Sequence, residues 1–394
     1  FSYAPQVQLK TTTEEYANVA IGPFVQPPLN AKQIQDLRHL VDRIQYKQLA
    51  VLYLSHMSLD EELGQLIMVQ YYTANYGPDL EASIKDLYAG GVILYQWQMQ
   101  ALKQTRNDIT QMQQHARIPL LISTDEEGGY VDRIGNIYPF RPSATELYLK
   151  GDVAQTKREG IRTARDLQAL GINADMAPDV DVELRYGPLV TRTFGKTPQD
   201  VIKYAGAYME GMQSQGMIAC IKHFPGLGDT DKDAHTALPI IKRSKEQIYS
   251  VELAPFKHFI QTQNALQRPG MIMSTDLLMP AIDPVWPAEI SHTFITDILR
   301  KELGYDGVVS TDALYMEGIA QKWSLPQAAV LALKAGNDMI IGPNGSGQMA
   351  AVLNAIKAAL KDGTLSRARV DEAATRILAL KMQYHLMPTL PPVA

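Results

Sequence analysis

The 394-residue chain contains a single cysteine, Cys220, so it cannot form an internal disulfide. A lone thiol also lacks the paired spacing of a thiolate zinc site, and we expect it to be a small buried apolar residue. No apolar run approaches the ~20 residues that a membrane span needs. Lys and Arg total 37 against 42 Asp and Glu, and this net charge of −5 argues against nucleic acid as the main partner. Hydrophobic residues make up 46% of the chain, which is enough for a large core.

Both ends of the chain are rich in proline, which is excluded from the interior of regular elements. We therefore predict an extended arm or tether over residues 1–30, one domain over residues 31–386 and a proline-rich tail over residues 387–394. The chain begins at Phe1 rather than at methionine, which indicates export with a removed leader, or a lipoprotein tether. A cytoplasmic location is the alternative.

Eight short apolar runs lie between longer segments with helical periodicity. Most runs are continuous rather than alternating, which is typical of parallel strands buried on both faces. The predicted strands are Leu66–Gln70, Gly91–Tyr95, Leu120–Thr124, Asn173–Ala177, Met217–Lys222, Met271–Ser274, Gly307–Ser310 and Met339–Ile341.

Helical periodicity fills most of the intervals between these runs. The predicted helices are Gln100–His115, Ala144–Leu170, Pro198–Gln215, Lys245–Gln261, Leu325–Lys334 and Met349–Lys361. Eight strand–helix repeats predict an α/β chain folded as a (β/α)8 TIM barrel, because the span from the first to the last strand fits the typical ~250 residues plus insertions. The alternative is an open doubly wound sheet, which would usually need a phosphate loop.

Two glycine-rich segments need to be weighed as phosphate loops. Gly342–Gly347 has suitable glycine spacing and follows a predicted strand, but Gln348 and Met349 stand where a lysine and a hydroxyl are required. Gly226–Gly228 lacks the third glycine of a dinucleotide fingerprint. A glycine-rich turn that leads into a helix is the favoured interpretation of the first segment.

Ionisable residues follow five of the predicted strands, at the end where barrel enzymes place their reactive groups. Such residues are costly beside apolar runs unless they bind each other or a ligand. They lie in the segments Asp125–Gly129, Pro178–Asp181 with Arg192–Gly195 beyond it, Lys222–His223, Thr275–Asp276 and Thr311–Asp312.

The long loop after the fifth strand carries Asp233 and His235, two residues apart. A carboxylate beside an imidazole favours the protonated ring, so the pair can serve as a general acid. Alternating aspartates in the loop also suggest a calcium site, but Ala234 and Ile240 replace the glycine and glutamate that it needs. A divalent-metal site formed by His223, Asp233 and His235 stays open as an alternative.

These segments together resemble glycoside hydrolase family 3, specifically its single-domain β-N-acetylglucosaminidase (β-hexosaminidase) branch. The resemblance lies in MSLDEELGQLIMV from Met57, STDEEGG, TRTFG, KHFPGLGDTDKDAHTALP, GYDGVVSTDALYMEGI and AGNDMIIGP, which occur in the family's order.

The resemblance implies a retaining exo-glycosidase that hydrolyses terminal β-linked N-acetylglucosamine through a covalent glycosyl-Asp312 intermediate. His235, assisted by Asp233, would be the general acid/base, and no metal or cofactor is implied. The residues matched to sugar binding are Asp125, Arg133, Arg192, Lys222 and His223.

Five positions depart from the family pattern. Those in the loop bear on loop dynamics and distal contacts, and those at Tyr130 and Asp276 bear on the preference for the aglycone or the acetamido group. The family's usual residues are replaced by Leu227 and Ala234 in the loop, by Ala313 after the nucleophile, by Tyr130 after the paired glycines and by Asp276 after the sixth strand.

The expected substrate is a small glycoconjugate or a saccharide derived from the cell wall, as in peptidoglycan turnover, and the expected state is a monomer. Three other functions are open: a β-glucosidase of the same family, a catalytically silent sugar-binding barrel and a metal-dependent barrel hydrolase.

Overall fold

The computed structural model describes residues 31–187, 189–230 and 237–389, with side chains from residue 41 onward. Eight parallel strands close into a barrel in chain order, which confirms the predicted (β/α)8 fold. The predicted arm, most of the predicted tail, and the pair Asp233 and His235 lie outside the described residues. The strands are β1 Ile67–Gln70, β2 Gly91–Leu94, β3 Leu121–Thr124, β4 Ala174–Asp175, β5 Ile218–Phe224, β6 Met271–Ser274, β7 Val308–Ala313 and β8 Met339–Asn344.

Helices surround the barrel, and among the described ones none is long and apolar enough to cross a membrane. A π-helix, Thr293–Glu302, precedes β7. The α-helices are α1 Ala31–Leu54, α2 Leu59–Gln65, α3 Pro78–Lys85, α4 Leu102–His115, α5 Ala144–Lys150, α6 Val153–Leu170, α7 Pro198–Gln213, α8 Lys245–Ser250, α9 Ala254–Gln261, α10 Glu317–Ala320, α11 Leu325–Ala335, α12 Gly345–Asp362 and α13 Arg367–Gln383.

Two predicted helices are each interrupted. The segment Ala144–Leu170 is split because Gly151 takes the left-handed conformation, with φ 72°, and ends α5. The Asp152 side chain then accepts a hydrogen bond from the Gln155 amide and starts α6. The segment Lys245–Gln261 is split near Val251, and Pro255 lies in the first turn of α9, where a missing amide costs nothing.

The barrel interior is a methionine-rich apolar core built by all eight strands. Its buried side chains include Met68, Met271, Met273 and Met339, together with the fully buried Cys220. Two residues of α13 join the same cluster from outside the sheet, Ile377 and Leu380. This packing fills the barrel below the carboxyl ends of the strands, so a ligand can only bind above it.

The glycine-rich segment after β8 is a turn into a helix, as the sequence predicts. Gly345, with φ 68°, begins α12, and the Asp79 carboxylate accepts hydrogen bonds from both the amide and the hydroxyl of Ser346. Because an aspartate occupies the helix N-terminus where a phosphate would bind, this turn is not a phosphate loop.

Lys381 is fully buried on α13, and its Nζ donates a hydrogen bond to Gln65 Oε1 over 2.7 Å. Burial lowers its pKa to about 7. An unfolded chain with an ordinary lysine binds more protons between pH 7 and 10.5, so the contribution of Lys381 to the free energy of unfolding should rise with pH over this window, by roughly 1 kcal/mol per pH unit. We expect Lys381→Met to remove this rise in urea unfolding at pH 7.5 and 9.5.

The control for this prediction is Lys301→Met, since the Lys301 side chain is 67% exposed. That variant should keep the pH dependence of the wild type. A Lys381→Met protein with the same pH dependence of stability as the wild type would show that Lys381 carries the same charge in the folded and unfolded states at both pH values.

Candidate active site

The loop after β3 delivers acidic residues to the carboxyl face of the barrel. Its paired glycines, Gly128 and Gly129, take φ values of 77° and 61°. A Cβ on the first would overlap the Pro142 carbonyl, so this turn accepts only glycine. The loop is further fixed because the Glu126 amide donates to Asp175 Oδ1 over 2.9 Å. The turn therefore holds the carboxylates that precede it against β4 and β5.

Lys222, buried on β5, is the centre of an ion-pair network. Its ammonium lies 2.7 Å from Asp125 Oδ1 and 2.6 Å from Glu127 Oε1. Glu127 is also held by Arg192, whose Nε and Nη2 each donate to it over 2.8 Å. Three of the predicted sugar-binding residues, Asp125, Arg192 and Lys222, thus meet in one network, and Glu127 joins them.

The charges in this network hold one another ionised. Burial alone would raise the pKa of Asp125 and of Glu127, but the neighbouring cations outweigh it and keep both below their ordinary values. Conversely, burial would lower the pKa of Lys222, and the attraction of Asp125 and Glu127 raises it instead. The network is therefore a fixed set of full charges at neutral pH.

We expect Lys222→Met to lower the free energy of unfolding by ~3–5 kcal/mol, because it leaves buried carboxylates without their cation. Chemical denaturation at pH 7 measures this loss. The double variant Lys222→Met with Asp125→Asn removes one of the orphaned charges, so it should be more stable than the single variant. Equal stability of the two proteins would show that the 2.7 Å pair is not coupled.

His223, the next residue of β5, is held by a second set of contacts. Its Nδ1 lies 2.7 Å from Asp181 Oδ2, and its Nε2 lies 3.3 Å from Arg192 Nη2. Since a guanidinium can only donate, these contacts fit the neutral ring that carries its proton on Nδ1. Consecutive residues of a strand normally face opposite sides of the sheet. In β5 the pairing register with β6 shifts between Ile221 and Phe224, and Lys222 and His223 lie within this irregular stretch.

Asp179, Asp181 and His223 are the one set of described residues whose ligand atoms could surround a metal ion, all within 4.8 Å of one another. The oxygens of Asp181 already accept hydrogen bonds from His223 Nδ1 and from the Leu227 amide, each over 2.7 Å. A bound ion would have to displace these bonds. The donor set therefore fits orientation of the imidazole better than it fits a metal centre.

Arg133 lies at the edge of the network. Its backbone amide donates to Glu126 Oε2 over 2.7 Å, and its guanidinium carbon lies 5.9 Å from the centre of the Tyr95 ring. The charge of Arg133 contributes to the low pKa of Asp125, after that of Lys222. The Nε of Arg133 is buried and has no hydrogen-bond partner among the described residues. Arg133 therefore has an unused donor beside Asp125.

Asp312, at the end of β7, is only half-buried. Its Oδ2 accepts from the Thr275 hydroxyl over 3.2 Å, and its Oδ1 accepts from the Ala313 amide over 2.8 Å. No described cation forms an ion pair with it, in contrast to Asp125. Burial is the main cause of the raised pKa of the Tyr95 phenol, and the charges of Asp125 and Asp312 add to it, so both carboxylates lie within electrostatic range of this ring.

Glu289 lies in a short helical turn before the π-helix and is completely buried beside Asp312. Burial, followed by the charges of Asp276 and Asp312, raises its pKa well above the usual range. A protonated Glu289 adds no negative charge beside Asp312.

The loop that carries Asp233 and His235 is anchored on both described flanks. Before the undescribed residues 231–236, the Leu184 amide donates to Gly228 O over 3.0 Å. After them, the Ile241 amide donates to Leu278 O over 2.9 Å, and the Leu278 amide donates to Pro239 O over 3.0 Å. Both flanks thus pack against segments that follow β4 and β6, at the face that carries Asp312.

Several site residues were not singled out by the sequence. Glu127 and Asp181 lie in segments recognised as polar strand ends, but spacing does not show which carboxylate meets which cation. Glu289 lies in no motif. Among the departures from the family pattern, Tyr130 is 87% exposed, whereas Asp276 is buried near Glu289.

Comparisons with known proteins agree with this fold. Residues 58–380 match the glycosyl hydrolase family 3 N terminal domain. The chain is 35% identical over 291 residues to a beta-hexosaminidase of Idiomarina loihiensis, covering 71% of this chain and 85% of the relative. It is 30% identical over 345 residues to a beta-N-acetylglucosaminidase/beta-glucosidase of Cellulomonas fimi, covering 83% of this chain and 58% of the relative.

Among solved structures, a family 3 beta-N-acetylglucosaminidase of Paenibacillus sp. str. FPU-7 superposes with a TM-score of 0.80 at 33% identity. This match covers 84% of the present chain and 63% of that protein. The chain thus spans less than two thirds of the Cellulomonas and Paenibacillus proteins. The chain belongs to glycosyl hydrolase family 3, and the expected enzyme class, a glycoside hydrolase, is confirmed.

Proposed function

We propose that this chain is a retaining exo-glycosidase that removes terminal β-linked N-acetylglucosamine. Asp312 is the nucleophile, and His235, assisted by Asp233, is the general acid/base. The observation that carries the proposal is the contrast between two carboxylates of one site. Asp125 is neutralised by Lys222, whereas Asp312 is half-exposed and is held by a hydroxyl and an amide. A carboxylate held by neutral donors has no cation beside it to reduce its nucleophilicity.

In the first step, an oxygen of Asp312 attacks the anomeric carbon and the bond to the leaving oxygen breaks. His235 donates its proton to that oxygen, so the aglycone departs as a neutral alcohol. In the second step, His235 accepts a proton from water, and the water oxygen displaces Asp312 from the sugar. Two inversions at one carbon leave the product with the β configuration of the substrate.

The ion-pair network supplies the sugar-binding side of this site. Asp125 and Glu127 are acceptors for hydroxyl groups, and the guanidinium of Arg133 is a donor. Because Lys222 and Arg192 fix the two acceptors before any sugar binds, little ordering is needed when the substrate arrives. His223, oriented by Asp181, completes the set of predicted sugar-binding residues.

Proton nuclear magnetic resonance during hydrolysis of an aryl β-N-acetylglucosaminide tests this mechanism. The β-anomer should accumulate first and then mutarotate. If the α-anomer appears first, the enzyme inverts configuration, and a covalent glycosyl-Asp312 is ruled out.

A β-glucosidase of the same family is the second candidate, since the Cellulomonas fimi relative carries both activities in its name. Comparison of aryl β-glucoside with aryl β-N-acetylglucosaminide decides between the two. If the protein binds N-acetylglucosamine and hydrolyses neither compound, it is a silent sugar-binding barrel. We propose a fragment of the cell wall, as in peptidoglycan turnover, as the natural source of the sugar.

We expect exhaustive chelation with EDTA to leave kcat unchanged, because hydrogen bonds already engage the oxygens of Asp181 in the candidate metal cluster. Activity on an aryl glycoside before and after dialysis measures this. Loss of activity that Zn²⁺ or Mg²⁺ restores would support the metal-dependent alternative.

A further inference from the structure

Thr275 directly follows β6, and hydrogen bonds hold its backbone on both sides. Its amide donates to Phe224 O over 3.0 Å. Its carbonyl accepts from the amides of Leu277 and Glu289 over 3.0 Å and 3.2 Å. The residue is fully buried. These contacts fix the position from which the side chain of Thr275 reaches its neighbours.

The Thr275 hydroxyl lies between two carboxylates. Its Oγ1 is 3.2 Å from Asp312 Oδ2 and 3.4 Å from Asp276 Oδ1. Among the residues that the structure describes, Thr275 is the one whose side chain donates a hydrogen bond to Asp312. A hydroxyl carries a single proton, so Thr275 can donate to only one of these carboxylates at a time.

The second carboxylate, that of Asp276, is packed against the helix that follows β7. Asp276 is fully buried, and a Cβ on Gly318 of α10 would lie 2.0 Å from its Oδ2. Only glycine leaves room for the carboxylate at this position. The acceptor oxygens on both sides of Thr275 are therefore held in place, whereas the hydroxyl proton can turn about the C–O bond from one to the other.

We propose that the Thr275 hydroxyl assists the second chemical step, in which Asp312 leaves the sugar. This inference rests on the proposed covalent glycosyl-Asp312 intermediate. In the free enzyme the hydroxyl donates to the Asp312 carboxylate. Once Asp312 forms its ester bond to the anomeric carbon, its negative charge is gone and it becomes a weaker acceptor. The other acceptor within reach of the hydroxyl is Asp276 Oδ1.

In the second step, the water oxygen bonds to the anomeric carbon, and His235 takes the proton that the water loses. The electron pair of the broken bond between carbon and oxygen passes to Asp312. As negative charge returns to Asp312, the Thr275 hydroxyl donates to it again and stabilises that charge. In the first step the same donor orients Asp312 but also draws charge from it. These two effects oppose each other, so the hydroxyl accelerates mainly the second step.

The test measures how much enzyme is held as the covalent intermediate during turnover of p-nitrophenyl β-N-acetylglucosaminide, by acid quench and intact-protein mass spectrometry. Thr275→Val removes the hydroxyl and keeps the shape of the side chain. We expect the ratio of covalent to non-covalent enzyme at saturating substrate to rise ~10-fold, because one hydrogen bond to a charged group is lost. The value of kcat/KM, which reports the first step, should change by less than about threefold.

Two further variants separate the hydroxyl from the packing of the side chain. Thr275→Ser keeps the hydroxyl and loses the methyl group, so it should retain the wild-type ratio. Thr275→Ala also lacks the hydroxyl, and it takes the place of the valine variant if that protein does not fold. A rise in Thr275→Ser as large as in Thr275→Val would assign the effect to packing and contradict the proposal.

The matched control is Thr163→Val. Thr163 is also fully buried, and its hydroxyl accepts a hydrogen bond from the Tyr208 hydroxyl over 3.0 Å, between α6 and α7. This variant should keep the wild-type ratio. If Thr275→Val has a ratio equal to or below that of the wild type, the inference is wrong while the proposed function stands. A wild type that releases the α-anomer first has no such intermediate, and that result overturns the proposed function itself.

Discussion

Asp312→Asn should lower kcat on an aryl β-N-acetylglucosaminide by ~10⁴–10⁶-fold, the scale of loss that accompanies removal of a catalytic nucleophile. The amide has nearly the shape of the carboxylate, and its oxygen can still accept from the Ala313 amide. The fold should therefore persist, while the side chain can no longer attack the anomeric carbon. Steady-state kinetics, with a thermal unfolding curve for each protein, separate these two effects.

A smaller variant supplies the control for this prediction. In Asp312→Gly, azide can enter the space that the carboxylate leaves and attack the same carbon directly. One inversion then yields the α-glycosyl azide, which nuclear magnetic resonance identifies. If Asp312→Asn retains more than about 1% of wild-type kcat, another group attacks the sugar, and Asp276, which follows β6, becomes the next candidate.

The fold could be predicted from sequence because strands that are buried on both faces appear as continuous apolar runs. All eight apolar runs form strands, and the barrel closes in chain order. The helix breaks at Gly151 and near Pro255 were not predicted, although both residues are common helix boundaries.

The site was predicted only in part, for a different reason. Strand-end position identified Asp125, Lys222, His223 and Asp312, because the carboxyl ends of barrel strands meet at one face. The position of a residue at a strand end does not show which carboxylate pairs with which cation. Glu127 takes the bidentate contact with Arg192 because of how the glycine turn after β3 aims it. Glu289 acquires its raised pKa from burial, which its loop sequence does not show.

His235→Ala should lower kcat/KM on substrates with poor leaving groups by ~10²–10⁴-fold, the usual contribution of a positioned proton donor. The described flanks of the segment that contains His235 are hydrogen-bonded to segments that follow β4 and β6, at the face that carries Asp312. A leaving group such as dinitrophenolate needs no proton, so the loss on that substrate should be much smaller. The ratio of the two losses measures proton donation and not damage to the fold.

The pH dependence of kcat/KM is a second test of the role of His235. The proton donor must be protonated in the first step, so wild-type kcat/KM should fall as the pH rises through the pKa of His235, and this limb should disappear in His235→Ala. The control is His292→Ala. His292 is another histidine beside an aspartate, and its Nδ1 lies 3.2 Å from Asp297 Oδ2 at the surface. This variant should keep the pH dependence of kcat/KM of the wild type. Equal losses of His235→Ala on both leaving groups, with the alkaline limb intact, would assign the proton transfer to another residue and leave His235 with a binding role.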